Sequence, residues 1–184
     1  MKELSLNVLD IVQNSISAGA TDILISLTEG DNNKLTLIIG DNGCGMTEET
    51  VRSVTDPFYT TRKTRKVGMG VPLLKMAAEQ TGGDFSIESI PDSIDPINHG
   101  TTVKATFDTS HMDFTPVGDM VSTMCTIIQG HPEINYLFNH TTESYNVQLD
   151  TAQLREVLGD VSLAEFEIIC WIKDYLNEQY SKSK

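Results

Sequence analysis

The 184 residues predict an α/β protein of one domain, or one domain with an appended tail. Three observations carry this. Apolar residues recur at helical spacing near the N-terminus and again after Pro72, while alternating or continuous apolar runs bounded by turn residues mark strands. Hydrophobic and charged contents of 39% and 21% are those of a globular chain long enough for a sizeable core. No apolar run reaches membrane-spanning length, and the N-terminus lacks a basic-then-apolar leader pattern. The order reads helix, sheet, loop, helix, sheet, tail.

From Glu3 to Ala18, Leu4, Val8, Leu9, Ile11, Val12 and Ile16 form one broad apolar helix face. The opposite stripe is Glu3, Asn7, Asp10, Asn14 and Ser17. Asn, Asp and Ser are weak helix formers. The stripe reads either as a solvated face or as short polar groups suited to holding a metal ion or water. Gly19 ends the helix. Asp22 to Thr28 alternates as a strand, and Lys34 to Ile39 is its expected hairpin partner.

Asp41-Asn42-Gly43-Cys44-Gly45-Met46 follows. An acid and two glycines bracketing one residue describe a strand end that presents a carboxylate while the backbone bends sharply. Taken alone, it is an ordinary turn. Thr47 caps a short helix. Asp56-Pro57-Phe58-Tyr59-Thr60-Thr61 and the basic cluster Arg62, Lys63, Arg65, Lys66 form a loop without periodicity. Gly68-Met69-Gly70-Val71-Pro72 leads into an apolar helix from Leu73 to Thr81, with Pro72 in a first-turn position that it tolerates. Phe85 to Ile90 and Thr102 to Phe107 read as two further strands.

Past Ser110 the character changes. Thr115-Pro116 predicts a helix start running to Ile128. Asn135 to Thr142 and Ser144 to Asp150 read as a polar β-hairpin, and Ser162-Leu163-Ala164-Glu165 has the capping-box spacing for a final helix to about Tyr180. This tail holds eleven acids and four bases. His99, His111, His131 and His140 lie scattered in loops or beside turns and strands, without ligand spacing, and read as exposed loop histidines.

A net charge of −13 argues against a nucleic-acid partner. An odd count of three cysteines without metal spacing suits a reducing cytoplasm. The basic cluster reads as a solvated loop unless an anionic ligand lies near it.

A bound nucleoside triphosphate would employ several of these features together. Asp41 can accept from an exocyclic adenine amine, while Gly43 and Gly45 let the backbone approach the base. Gly68 and Gly70 before a helix offer phosphates backbone N–H groups. Asn14 offers an oxygen to Mg²⁺, and Asp10, one turn earlier, is placed to orient or deprotonate a water.

Here the residues resemble a known family. Asp10-Ile11-Val12-Gln13-Asn14-Ser15-Ile16-Ser17-Ala18-Gly19-Ala20-Thr21 resembles the N box of the GHKL superfamily, which holds gyrase, large heat-shock chaperones, histidine kinases and MutL proteins. Asp41-x-Gly43-x-Gly45 is similar to its G1 box, and Gly68-Met69-Gly70-Val71-Pro72-Leu73-Leu74 to its G2 box. Asp56 to Thr61 resembles the stretch that opens the ATP lid in histidine kinases, and Gly100-Thr101 the pair on the last strand of the site. The likeness covers roughly residues 1 to 108.

The resemblance implies a two-layer α/β sandwich of Bergerat type, a mixed and mainly antiparallel sheet with helices on one face. Residues 1–110 would form the ATP-binding core. Residues 111–184 would form an extension of a helix, a β-hairpin and two helices, packed on the core or extending its sheet. Asp41 would bind the adenine amine and Thr101 would support the base through water. Asn14 would coordinate Mg²⁺. Gly68, Gly70 and Val71 would meet the phosphates, with Gly43, Gly45, Met46, Thr60, Arg62, Lys63 and Met69 completing the ATP contacts.

Many ATP-hydrolysing relatives have Glu where this chain has Asp10, so the reach of the base is shorter and slow hydrolysis or an adjusted helix is expected. The N-box helix begins almost at Met1, so this chain is not expected to act as an autonomous sensor kinase. The tail is expected to be too short for the transducer domain of MutL and gyrase. Two activities follow as expectations. One is an enzyme that hydrolyses ATP or phosphorylates a separate protein partner. The other is a non-catalytic ATP-responsive module whose lid controls a partner. Neither a nucleic acid nor a membrane is expected as a partner.

Overall fold

A computed structural model describes residues 3–56 and 69–182. Six strands form one sheet in the order β3-β4-β2-β1-β5-β6. The strands are β1 (Asp22–Gly30), β2 (Lys34–Asp41), β3 (Phe85–Ile90), β4 (Gly100–Asp108), β5 (Asn135–Thr141) and β6 (Asn146–Asp150). Among the described residues only the β1–β5 pair is parallel. The helices are α1 (Leu4–Ser17), α2 (Glu48–Thr55), α3 (Gly70–Gln80), α4 (Met120–Gly130), α5 (Thr151–Leu158) and α6 (Phe166–Ser181). This is the two-layer α/β sandwich that the sequence predicts.

Strand register explains why one face is covered. Ile87, Val103, Ile39, Ile25, Phe138 and Leu149 are successive cross-strand partners, forming one apolar row across all six strands. Ala105, Leu37 and Leu27 build the next row, which continues into His140 and Val147. Because side chains alternate across a sheet, these rows share a face. Helices α3, α1, α4 and α6 lie side by side, and Leu74, Val8, Ile11, Met124 and Ile172 are buried among the core residues.

Four local expectations change. The helix expected from Thr115 starts at Met120, where Asp119 accepts from the Ser122 amide at 2.8 Å. The residues before it cap a different helix, since the carbonyls of Pro116 and Val117 accept from the Leu4 and Ser5 amides at 2.9 Å each. They satisfy first-turn donors of α1 that lack a side-chain cap. The second change is α3, which begins at Gly70, three residues earlier than expected, so Gly70 is its first helical residue. Third, Asn7 of the polar stripe is buried, and its Nδ2 has no hydrogen-bond partner among the described residues. Fourth, His140 is a buried strand residue rather than an exposed loop histidine.

The hairpin expected to be polar places Tyr136, Phe138, Val147 and Leu149 in the core and adds β5 to the sheet beside β1. At the outer edge, the Gln179 side chain donates to the Gln148 carbonyl and accepts from its amide, both at 3.0 Å. It occupies one outward-facing peptide of β6, which would otherwise invite another strand.

Candidate functional site

The core-facing rows end in polar residues. Along β2, Leu35, Leu37 and Ile39 precede Asp41 on the same face, and register places Thr101 of β4 opposite Asp41 and Ser89 of β3 opposite Thr101. Three oxygen-bearing side chains from distant parts of the chain thus meet at one end of the sheet. Asp41 and Thr101 border a cavity of about 300 Å³, roofed by α1 and enclosed by α2 and α3. Ile11, Met46, Val54, Val71, Ile87 and Val103 make its lining mostly apolar. A mostly apolar cavity of this size with a few convergent polar groups suits a small ligand or part of one.

Asp41 is held from two sides. Its Oδ2 accepts from the Ser15 hydroxyl at 2.6 Å, and its Oδ1 from the Gly43 amide at 2.9 Å. Both anchors fix the carboxylate plane where the strand gives way to the loop. The loop is fastened in turn. Asn42 Oδ1 accepts from the amides of Thr21 and Asp22, and its Nδ2 donates to Asp22 Oδ2 at 3.0 Å. Asp22 also accepts from Asn135 of β5, and these bonds hold its carboxyl below the usual carboxylate range. His99 Nδ1 lies 2.6 Å from the Gly43 carbonyl.

Gly45 has φ +68, and a side chain there would strike the Ile90 carbonyl. Only glycine lets the loop pass so close to the end of β3. Close approach also governs Gly70, where a Cβ would lie 2.6 Å from Asp10 Cβ. The N-terminus of α3 therefore sits directly against the exposed side chain of Asp10.

A second network braces two of the lining residues, Met46 and Thr101. Ser89 Oγ accepts from the Met46 amide at 2.7 Å, donates to the Gly100 carbonyl at 3.1 Å and contacts Thr101 Oγ1 at 2.8 Å. Satisfying all three requires Thr101 to donate to Ser89, so the remaining lone pairs of Thr101 are available to accept.

Of the residues expected from the sequence, Asn14, Asp41, Gly45, Met46, Val71 and Thr101 line this one cavity. Gly43 braces Asp41 from beneath, and Gly70 abuts Asp10. Met69 is exposed just before α3. Thr60, Arg62, Lys63 and Gly68 lie outside the described residues. Sequence reasoning missed Ser15 and Ser89. Ser15 sits beside Asn14 within the N-box segment, a signal that could have found it, whereas Ser89 becomes visible only once β3 is registered on β4.

The Asn14 side chain, half-buried at the cavity wall, makes no hydrogen bond to any described residue. An unpaired amide oxygen beside an anion-compatible helix terminus fits a hard cation that takes its other ligands from phosphate and water.

Residues 2–111 match the family of histidine kinase-, DNA gyrase B-, and HSP90-like ATPases. Among curated proteins, the tetrathionate sensor histidine kinase TtrS of Salmonella typhimurium is 32% identical over 46% of this chain and 14% of its own length. The signal transduction histidine-protein kinase AtoS of Escherichia coli is 31% identical over 50% and 15% respectively. The chain therefore spans only a small part of these relatives. Among solved structures, the MutL ATPase domain of Aquifex aeolicus complexed with ADP superposes with a TM-score of 0.52 at 15% identity, covering 86% of this chain and 69% of that one. The N-terminal domain of a DNA repair protein gives 0.55 at 17% identity, covering 82% and 53%. At such identities the structural likeness speaks to the fold.

Proposed function

The chain belongs to the family of histidine kinase-, DNA gyrase B- and HSP90-like ATPases, and on that premise we propose that it binds Mg-ATP and either hydrolyses it or transfers its γ-phosphate to a separate protein. The carrying observation is the alignment of Asp41 with Thr101 at the base of a cavity whose roof holds Asn14. The exocyclic amine of adenine meets Asp41, whose carboxylate is already oriented by Ser15 and Gly43. Thr101 accepts from a water that bridges to the ring. The apolar lining takes the faces of the base.

Phosphates extend toward the N-terminus of α3, where Gly70 and Val71 present first-turn amides. Asn14 holds Mg²⁺, which supplies charge neutralisation on the phosphate oxygens when bound. Asp10, against Gly70, accepts the proton of an attacking water or of a partner's nucleophilic group. The attacking atom of the water or partner bonds to the γ-phosphorus as the bond from that phosphorus to its bridging oxygen breaks, and ADP leaves. Arg62 and Lys63 serve as lid contacts to ATP, Thr60 adds a further ATP contact, and Gly68 meets the phosphates.

A second reading, an ATP-responsive module that controls a partner without turnover, draws on Asp10 itself. It is one methylene shorter than glutamate and is not among the residues lining the cavity. In either reading residues 1–110 carry the nucleotide and 111–184 present partner surface. No described helix is long and apolar enough to cross a membrane. The unpaired cysteines support a cytoplasmic setting.

Calorimetry with ATP, ADP and a non-hydrolysable analogue, followed by phosphate release on the same sample, tests the proposal. ATP should bind in a Mg²⁺-dependent manner, and Asp10→Asn should abolish turnover while leaving ATP affinity nearly unchanged. Tight binding without any turnover, with or without candidate partners, would select the second reading. No binding of any nucleotide would sink both.

A further inference from the structure

The core face of the sheet turns polar at its other end as well. Beyond Leu27 on β1 comes Glu29, and the neighbouring β5 places His140 opposite Leu27. These two residues border a second cavity, of about 310 Å³, remote in the fold from the Asp41 end of the same strands. Tyr145, Tyr180 of α6, and the segment from Val117 to Val121 enclose it.

Three rings form a corner there. His140, Tyr145 and Tyr180 have centroids 5.3, 5.5 and 5.7 Å apart and interplanar angles of 84°, 69° and 73°, so their planes meet at nearly right angles. Hydrogen bonds fix the arrangement: His140 Nε2 lies 3.0 Å from Glu29 Oε1 and Nδ1 lies 2.8 Å from the Tyr180 hydroxyl. A neutral ring that donates to Glu29 and accepts from Tyr180 satisfies both. Burial favours that neutral state, holding the imidazole below its ordinary pKa and pushing both phenols up. The aromatic corner is thus uncharged, with electron-rich ring faces.

Among the described residues, the charged groups around it are mainly negative. Glu29 contributes its carboxylate, and Asp119 is held ionised by the Ser122 hydroxyl and amide, with Lys173 offsetting part of its charge. An anion would face two carboxylates, and Asp119 already accepts the Ser122 amide at the start of α4. Among the described residues no group of three His, Cys, Asp or Glu side chains could hold a metal ion. Val117, Met120 and Val121 add apolar wall. The complement of such a box is a positive charge wrapped in methyl or methylene groups.

We propose that this cavity is a binding site for a small organic ammonium ion, its charge set against the His140, Tyr145 and Tyr180 rings and the Glu29 carboxylate. Its volume, at the lower end for ligand sites, restricts the ligand to a few heavy atoms beyond the charged nitrogen.

The test titrates choline, and separately its uncharged tert-butyl isostere in which carbon replaces nitrogen, into the full chain without nucleotide, read by NMR shifts and calorimetry. Saturable choline binding is expected, with shifts at Val121 and Asn177 and at least about tenfold weaker binding of the isostere. Glu29→Gln keeps an acceptor for His140 while removing the charge, and should weaken choline at least about tenfold. Tyr145→Leu should do the same; if that variant does not fold, Glu29→Gln and the isostere decide. Absence of saturable choline binding, equal binding of the isostere, or a Glu29→Gln affinity within about twofold of the parent would overturn the proposal.

Discussion

Replacing Asp41 by asparagine separates recognition of adenine from stability of the fold, because the surrounding donors can rearrange around an amide. Asp41 Oδ1 accepts from Gly43 and Oδ2 from Ser15, while the Ser15 hydroxyl also lies 3.4 Å from the Ile11 carbonyl. In the variant, the amide oxygen keeps the Gly43 bond. The amide nitrogen donates to Ser15 Oγ, and the hydroxyl hydrogen turns to Ile11. Every donor keeps an acceptor, so unfolding free energy should fall by no more than about 1 kcal/mol. ATP meets a different group. Its exocyclic amine loses a carboxylate acceptor and faces N–H donors instead. A hydrogen bond to a charged partner is worth about 1.5–3 kcal/mol, which corresponds to a roughly ten- to hundredfold rise in Kd. Calorimetry with ATP and urea unfolding on the same preparation measure both quantities. An ATP affinity within about twofold of the parent, with the fold intact, would refute the role of Asp41. A stability loss well beyond about 1 kcal/mol would refute the rearrangement.

Three further outcomes are expected. Gly45→Ala combines an unfavourable left-handed backbone with a methyl against the Ile90 carbonyl, and should cost more than about 2 kcal/mol in urea unfolding. Arg155 donates from Nη1 to the Pro132 carbonyl at 2.6 Å and from Nη2 to the Ile134 carbonyl at 2.8 Å, tying α5 to the approach of β5. Arg155→Ala should cost about 2–3 kcal/mol, and Arg155→Lys should recover less than half, because an ammonium lacks the planar fork that meets both carbonyls. Finally, burial lowers the His140 pKa against the opposing influence of Glu29. The unfolded chain then binds this proton at higher pH than the folded one, so stability should decline as pH falls through the ordinary histidine value of about 6.5 toward the lower folded value. Urea midpoints measured against pH should show that decline, and His140→Gln should flatten it; an unchanged slope would refute it.

Legibility in the sequence followed the range of the interactions involved. Asp41-x-Gly43-x-Gly45 is readable because turn chemistry is local: a positive φ at Gly45 and an N–H from Gly43 to the Asp41 carboxylate two residues back need only nearby residues. The α1 helix and the β1–β2 hairpin were readable for the same reason, since periodicity and a short turn specify them. The start of α4 misled because Thr115-Pro116 is a strong local helix signal, yet its neighbourhood is recruited to cap α1, more than a hundred residues earlier. His140 reads as an exposed loop histidine because the hairpin's sequence is rich in polar residues, and only the parallel pairing of β5 with β1 puts its ring in a core row.

What the sequence determined by itself was the fold class, the family resemblance and most of the groups that surround the candidate nucleotide site. Their types and order along the chain are covalent facts, and helix, strand and turn preferences act over a few residues. Tertiary structure alone decided that Asp41, Thr101 and Ser89 share one row and that Ser15 steadies the carboxylate. It likewise decided that Glu29, His140 and two tyrosines enclose a second cavity at the far end of the same face. Register is the physical reason. Each strand can slide in steps that exchange its faces, and the position that wins is set by burying the whole apolar row at once.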